Sequence, residues 1–197
     1  MPNTNYHIPV MLPECLDGLN IDPNGIYVDI TFGGGGHSRA ILEKLDKGHL
    51  YSFDQDEDAK KNAEGFDKAK FTFIQANFRH ISKFLRIYGV KKVDGILADL
   101  GVSSYQIDTA ERGFSTRFDA DLDMRMNQDS NFTAADLLNE YSVEDLFRIF
   151  KFYGEVKNPG KLVRVIDNQR KETPFTTIQH FKEVIAPCTP KFKEHKY

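Results

Sequence analysis

Over the first hundred residues, hydrophobic and polar positions fall into two alternating kinds of run. Short apolar stretches rich in β-branched and aromatic residues stand at 26–30 (IYVDI), 49–54 (HLYSFD), 71–75 (FTFIQ) and 93–100 (VDGILADL). Between them, HSRAILEKL (37–45), DEDAKKNAEGF (56–66) and FRHISKFLRIYG (78–89) read as helices. In the last, Phe78, Ile81, Phe84, Leu85 and Tyr88 recur at helical spacing. Such alternation predicts an α/β fold, with right-handed crossovers building a parallel sheet covered by helices.

After Val102 the strand runs cease. TAADLLNEY (133–141), SVEDLFRIFKFYG (142–154), GKLVRVIDNQRK (160–171) and TTIQHFKEVIA (176–186) read as four helices. Three have a Ser or Thr start with Asp or Gln three residues on: Thr133/Asp136, Ser142/Asp145 and Thr176/Gln179. The last fits the capping box directly, and the two Asp versions are looser matches. The expected organisation is the N-terminal part of an α/β domain over 1–104, followed by a helical subdomain over 105–197 inserted after the fourth strand.

Composition changes this picture little. The 197 residues suit one domain carrying an insertion, and 40% apolar with 28% charged is an ordinary soluble balance. No apolar run approaches bilayer-crossing length, and the start MPNTNYHIPV lacks a signal peptide's basic and apolar regions. Cys15 and Cys188 stand far apart without metal-ligand spacing, so a reducing cytoplasm and no metal are expected. Charge is informative through its distribution. From Arg148 to Tyr197 there are eleven Lys/Arg and five Asp/Glu, a balance of +6 on a body carrying −9. That tail is either a solvated helical surface or a face for RNA phosphates.

Candidate chemistry gathers at the ends of the strand runs, where open parallel sheets bind ligands. Gly33–Gly36 follow the first run, and Asp54 closes the second, eighteen residues after Gly36. A glycine turn with an acidic strand end suits a nucleoside, the carboxylate accepting from ribose hydroxyls. The dinucleotide pattern G-x-G-x-x-G is incomplete, since its third glycine is Ser38, and no Gly-Lys-Ser/Thr follows for a P-loop. S-adenosylmethionine is the leading candidate, its carboxylate facing the helix N-terminus at His37–Ser38. A merely tight strand–helix turn is the alternative. Phe78, after the third run, either lies against adenine or faces the core. Asp99 ends the fourth run and faces the same crevice; a carboxylate there must be solvated by ligand or loop N–H groups.

HIPVML, DITFGGGGHS, FDQD, NF, DGILADLGVSSYQID, ERGFS, LDMRM, TAADLLN and YGE occur in this order. In these motifs the chain, from His7 onward, resembles the bacterial small-subunit ribosomal RNA cytosine-N4 methyltransferase family. DLGVSS followed by RGFS and LDMRM carries most of the resemblance. A family position that is often Arg is Gly34 here. The resemblance implies a class I S-adenosylmethionine-dependent methyltransferase fold and methyl transfer to the exocyclic N4 of a decoding-centre cytosine in 16S rRNA, within the small ribosomal subunit. It implies cofactor contacts at Gly35, Gly36, His37, Asp54, Phe78, Asp99 and Gln106, the last from the resemblance alone. It also makes the insertion the RNA-facing part.

Cytosine N4 is a poor nucleophile because its lone pair is delocalised into the ring. An acceptor bonded to the amino hydrogens favours a pyramidal nitrogen and can later take a proton. Asp99 is the expected catalytic residue in that role, with holding the cofactor as its alternative. His7 and His37 are further conceivable bases, but His37 reads better as a loop residue donating to the cofactor. Cys188, in APCTP, forms a Pro-Cys pair like that of cytosine-C5 enzymes, which attack the ring covalently. There the pair follows strand four; here it lies far along the insertion and reads as structural or incidental. Members of the family continue with further strands and helices beyond the insertion, so the chain has the look of a truncated product. The expectation is a dimer or aggregate of low activity, with a non-catalytic adenosyl-nucleoside or RNA-binding module as the rival reading.

Overall fold

The computed structural model describes residues 9–188. These fall into two compact units, one within Met1–Gly101 plus Met126–Gln128 and the other within Val102–Arg125 plus Asp129–Tyr197.

Four parallel strands build the first unit: β1 (Ile26–Asp29), β2 (His49–Asp54), β3 (Phe71–Gln75) and β4 (Gly95–Leu97), in the order β3-β2-β1-β4. The runs at 49–54 and 71–75 become strands with the bounds expected of them. The fourth is shorter, three residues rather than eight. In register, Tyr27 lies beside Leu50 and Gly95, and Val28 beside Tyr51 and Ile96. Successive side chains point to opposite faces, and helices cover both. Tyr27, Leu50, Phe71 and Leu97 pack on one side with Phe32, Ile41, Leu45 and Phe66. Val28, Tyr51, Phe53 and Ile74 pack on the other with Leu85. Burial on both faces explains why these strands read as near-continuous apolar runs.

The covering helices are α1 (Leu12–Leu19), α2 (Gly36–Lys44), α3 (Glu57–Asn62) and α4 (Ile81–Ile87), the last entered through a 3₁₀ turn, Phe78–His80. Helix α1 has no counterpart in the hydrophobic pattern. It is eight residues long, and Cys15, Leu16 and Leu19 are only partly buried against the core, too weak a stripe to read. Of the spaced residues around α4, Leu85 is buried, Ile81 and Phe84 pack beside it, and Phe78 stays 38% exposed.

The second unit holds α5 (Ser104–Asp108), α6 (Ala134–Glu140), α7 (Val143–Arg148), α8 (Pro159–Glu172) and α9 (Ile178–Ile185). Leu138, Leu146, Leu162, Val163, Ile166, Phe175 and Ile178 form its core, and Cys188 packs against that core, partly buried. Thr133 and Asp136 form a complete capping box, although Asp is the looser match. Ser142 caps α7 by accepting from the Asp145 N–H. At α9 the expected pair is corrected. Thr177, not Thr176, is the cap, accepting from the His180 N–H, while the Gln179 amide turns outward to Glu183. The cause is tertiary: Thr177 is held in an antiparallel bridge with Asp121, and Ile178 is buried. The run at 142–154 is not one α-helix either. After Arg148 it widens into a π turn, Ile149–Tyr153, closed by the Gly154 N–H donating to the Ile149 carbonyl.

Candidate functional site

The carboxyl ends of β1, β2 and β4 lie side by side in the first unit, and the chain leaves β1 into the glycine turn. Gly33 and Gly35 take positive φ, +50° and +76°. A Cβ on Gly35 would meet Phe32 at 2.8 Å and Phe66 at 2.9 Å, and one on Gly36 would collide with the Pro9 ring. Gly34 is different, since a Cβ there meets nothing within 4 Å. The turn therefore needs glycine at Gly35 and Gly36 and tolerates a side chain at Gly34.

Asp54 holds this turn. Its Oδ2 accepts from the Gly33 N–H (2.8 Å) and its Oδ1 from the Asp56 N–H (2.9 Å). The Asn62 amide donates to the Gly33 carbonyl (3.1 Å). Burial pushes the Asp54 carboxyl above its usual range, against the lowering pull of the Asp56 and Gly33 N–H groups. A carboxylate has about four lone-pair sites, so the backbone bonds from Gly33 and Asp56, with a lesser one from Gln55, still leave acceptor capacity for a hydroxyl group.

Helix α2 has Gly35 at its N-cap position, which offers no side-chain cap. Its first-turn N–H groups and the positive end of its dipole therefore favour an anion. His37 lies inside this first turn, as the helical reading of 37–45 has it, so its alternative reading as a loop residue is corrected. It is buried, and its Nε2–H donates to the Val10 carbonyl at 3.1 Å. The imidazole thus ties the start of α2 to the segment before α1. His7 lies outside the described residues.

Asn77 caps the 3₁₀ turn by accepting from the Arg79 N–H, and its amide donates to Gln55 across the ends of β2 and β3 (2.9 Å). That pair presents Phe78 at the same end of the sheet. Asp99 lies two residues beyond β4, with its side chain exposed and its N–H donating to the Thr31 hydroxyl (2.8 Å). Gln106 belongs to the second unit. Its Oε1 accepts from the Ser103 N–H (3.0 Å) and its own N–H donates to the Ser103 hydroxyl, a reciprocal cap for α5.

Behind the turn lies a buried polar cluster to which the sequence assigns no role. Asp29, fully buried at the end of β1, accepts from the Thr31 N–H (3.0 Å) and the Ser38 hydroxyl (2.7 Å), and Ser38 meets Ser52 at 2.8 Å. Burial raises the Asp29 carboxyl above its usual range, opposed first by the Ser38 bond and then by Thr31 and the nearby His37. One signal for part of the cluster is legible: Asp29 and Ser52 are polar residues inside otherwise apolar strand runs, whereas Ser38 stands between His37 and Arg39. Asn62 offers no such signal.

The family model described as the MraW methylase family matches residues 4–197. Among curated relatives, the ribosomal RNA small subunit methyltransferase H of Cytophaga hutchinsonii is 54% identical over 192 residues, covering 98% of this chain and 64% of that protein. The proteins of the same name from Phocaeicola vulgatus and Amoebophilus asiaticus are 55% and 50% identical, with 62% and 63% of their lengths covered. The chain thus spans a little under two thirds of the length of these relatives. A parallel α/β sheet, a glycine turn after its first strand and a family match over nearly every residue lead to one conclusion: the chain belongs to the MraW methylase family.

Proposed function

We propose that the first unit binds S-adenosylmethionine at the carboxyl ends of its strands and that the chain serves methyl transfer to the N4 of a cytosine in small-subunit ribosomal RNA. The observation carrying this is the Asp54 carboxylate, which braces the glycine turn through Gly33 and keeps acceptor capacity at the strand end. The residues present fit the cofactor. Asp54 would hold the ribose hydroxyls, and the uncapped first turn of α2, with Gly35, Gly36 and the His37 N–H, would take the carboxylate. Phe78 would lie against adenine, and Asp99 completes the set within this unit. The bound cofactor supplies an electrophilic methyl group on its sulfonium.

Asp99 is the catalytic residue of this reading. Its exposed carboxylate accepts from the cytosine amino hydrogens, favours a pyramidal nitrogen and receives a proton as the new C–N bond forms. Holding the two reactants in line supplies much of the remaining acceleration. The helical unit, with its basic C-terminal half, would face the RNA. The rival is a cofactor- or RNA-binding portion without turnover, favoured by the exposure of Ile96 and Leu100 around β4.

Incubation with S-adenosylmethionine and small ribosomal subunits, followed by mass spectrometry of digested RNA, should reveal N4-methylcytidine. Asp99→Ala should abolish it. Detection of 5-methylcytidine would refute amino transfer, and cofactor binding with no product would establish the rival.

A further inference from the structure

The last backbone bond between β1 and the strand-four segment is the Ile30 N–H donating to the Leu97 carbonyl (3.0 Å). Beyond it the main chain leads into the glycine turn, and the Asp99 N–H goes to a side-chain acceptor. Thr31 takes over with its side chain. Its hydroxyl accepts from the Asp99 N–H at 2.8 Å across 68 residues of sequence and is itself within 3.4 Å of the Asp29 carboxylate. A hydroxyl has one proton to donate and two lone pairs, so both contacts are satisfied together. Thr31 cannot drift, because its N–H also donates to Asp29 at 3.0 Å. Asp29 in turn is fixed by Ser38 of α2, which meets Ser52 of β2.

We propose that Thr31, anchored by the buried Asp29, is a positioning residue that sets where Asp99 presents its carboxylate at the reacting amino group. This rests on the methyl-transfer reading above. The tether joins the backbone carrying Asp99 to the same buried cluster that anchors α2, so the acceptor and the cofactor-binding helix share one frame. Exposed loops after short strands open readily, and a single side-chain acceptor at Asp99 opposes that opening where the three-residue β4 has ended. Misplacing a reacting group by about 1 Å can cost on the order of a hundredfold in rate, so the loss should appear in turnover more than in binding.

Thr31→Val keeps the β-branched shape and removes the hydroxyl; Thr31→Ser keeps the hydroxyl. The three proteins are compared by S-adenosylhomocysteine calorimetry, single-turnover methylation of small subunits and solvent exchange of the Asp99 amide by NMR. With Val, affinity should stay within about threefold, methylation should fall by roughly tenfold or more and the Asp99 amide should lose protection. Ser should restore rate and protection, separating the hydroxyl from mere packing. Equal turnover in the Val variant and wild type overturns the proposal, as does an equal loss in both variants. If the wild type binds cofactor but transfers nothing, the methyl-transfer reading fails, and Asp99 protection alone decides the tether. Unchanged exchange in the Val variant then overturns it.

Discussion

Asp54 carries two tasks whose consequences can be separated. It fixes the Gly33 N–H and, in the proposed function, accepts from ribose hydroxyls. A hydrogen bond to a charged group contributes about 1.5–3 kcal/mol, so Asp54→Ala should weaken S-adenosylhomocysteine binding roughly tenfold or more by calorimetry. Its burial adds a pH signature. Because the carboxyl sits above its usual range, it protonates earlier on acidification than an ordinary Asp. Affinity should decline as pH falls through that raised value, and Asp54→Asn should flatten the decline. Folding has the opposite sign: a carboxyl raised in the folded state contributes most below its unfolded value, and that contribution is lost as pH rises through the folded one. The glycines make a second test. Gly35→Ala forces a Cβ against Phe32 and Phe66 at positive φ, and should cost about 2 kcal/mol or more in urea unfolding. Gly34→Ala, facing open space, should change stability by less than about 1 kcal/mol.

Among the elements, α9 shows how a local signal is overruled. Both Thr176 and Thr177 could open a helix there, and only Thr176 has Gln three positions on. The bridge from Asp121 to Thr177 and the burial of Ile178 place the first turn one residue later. Thr177→Ala should therefore destabilise the helical unit by about 1 kcal/mol. Thr176→Ala, at an exposed position, should stay within about 0.5 kcal/mol in the same denaturation experiment. The end of α6 is tied by comparable long-range bonds. Arg170 of α8 donates to the Leu138 and Tyr141 carbonyls, and the Asn139 amide exchanges two 2.9 Å bonds with the Phe175 backbone.

At the scale of the molecule, the sheet of the first unit has β4 at one end of its order, paired with β1 alone among the described residues. Ile96 within it is 52% exposed and Leu100 just beyond it 69%. An open apolar strand edge invites pairing with another chain. Light scattering on these 197 residues at micromolar concentration should therefore give a mass above the 22.6 kDa of one chain. Ile96→Lys should move it towards that value, because a lysine on a strand edge resists burial against a second strand. A monodisperse 22.6 kDa particle in the wild type would overturn this expectation.

What could be read without tertiary structure was whatever repeats locally. Strands buried on both faces announce themselves as continuous apolar runs, which is why β2 and β3 have the bounds their pattern implies. The strand–helix alternation carried the parallel sheet, and glycines and acidic residues at strand ends marked where ligands approach such sheets. Tertiary structure decided whatever depends on partners far away in the chain. Thr31 and Asp99 are 68 residues apart, so no local pattern could join them. Whether Asp29 is a surface carboxylate or a buried anchor depends on Ser38, Thr31 and the layers around them. His37 became a helical tie to Val10, and Gln106 a cap for its own helix, through hydrogen bonds that composition and spacing leave open. Periodicity reports which face is buried; it carries no information on which distant polar group will meet a donor there, and that pairing is what shapes the site.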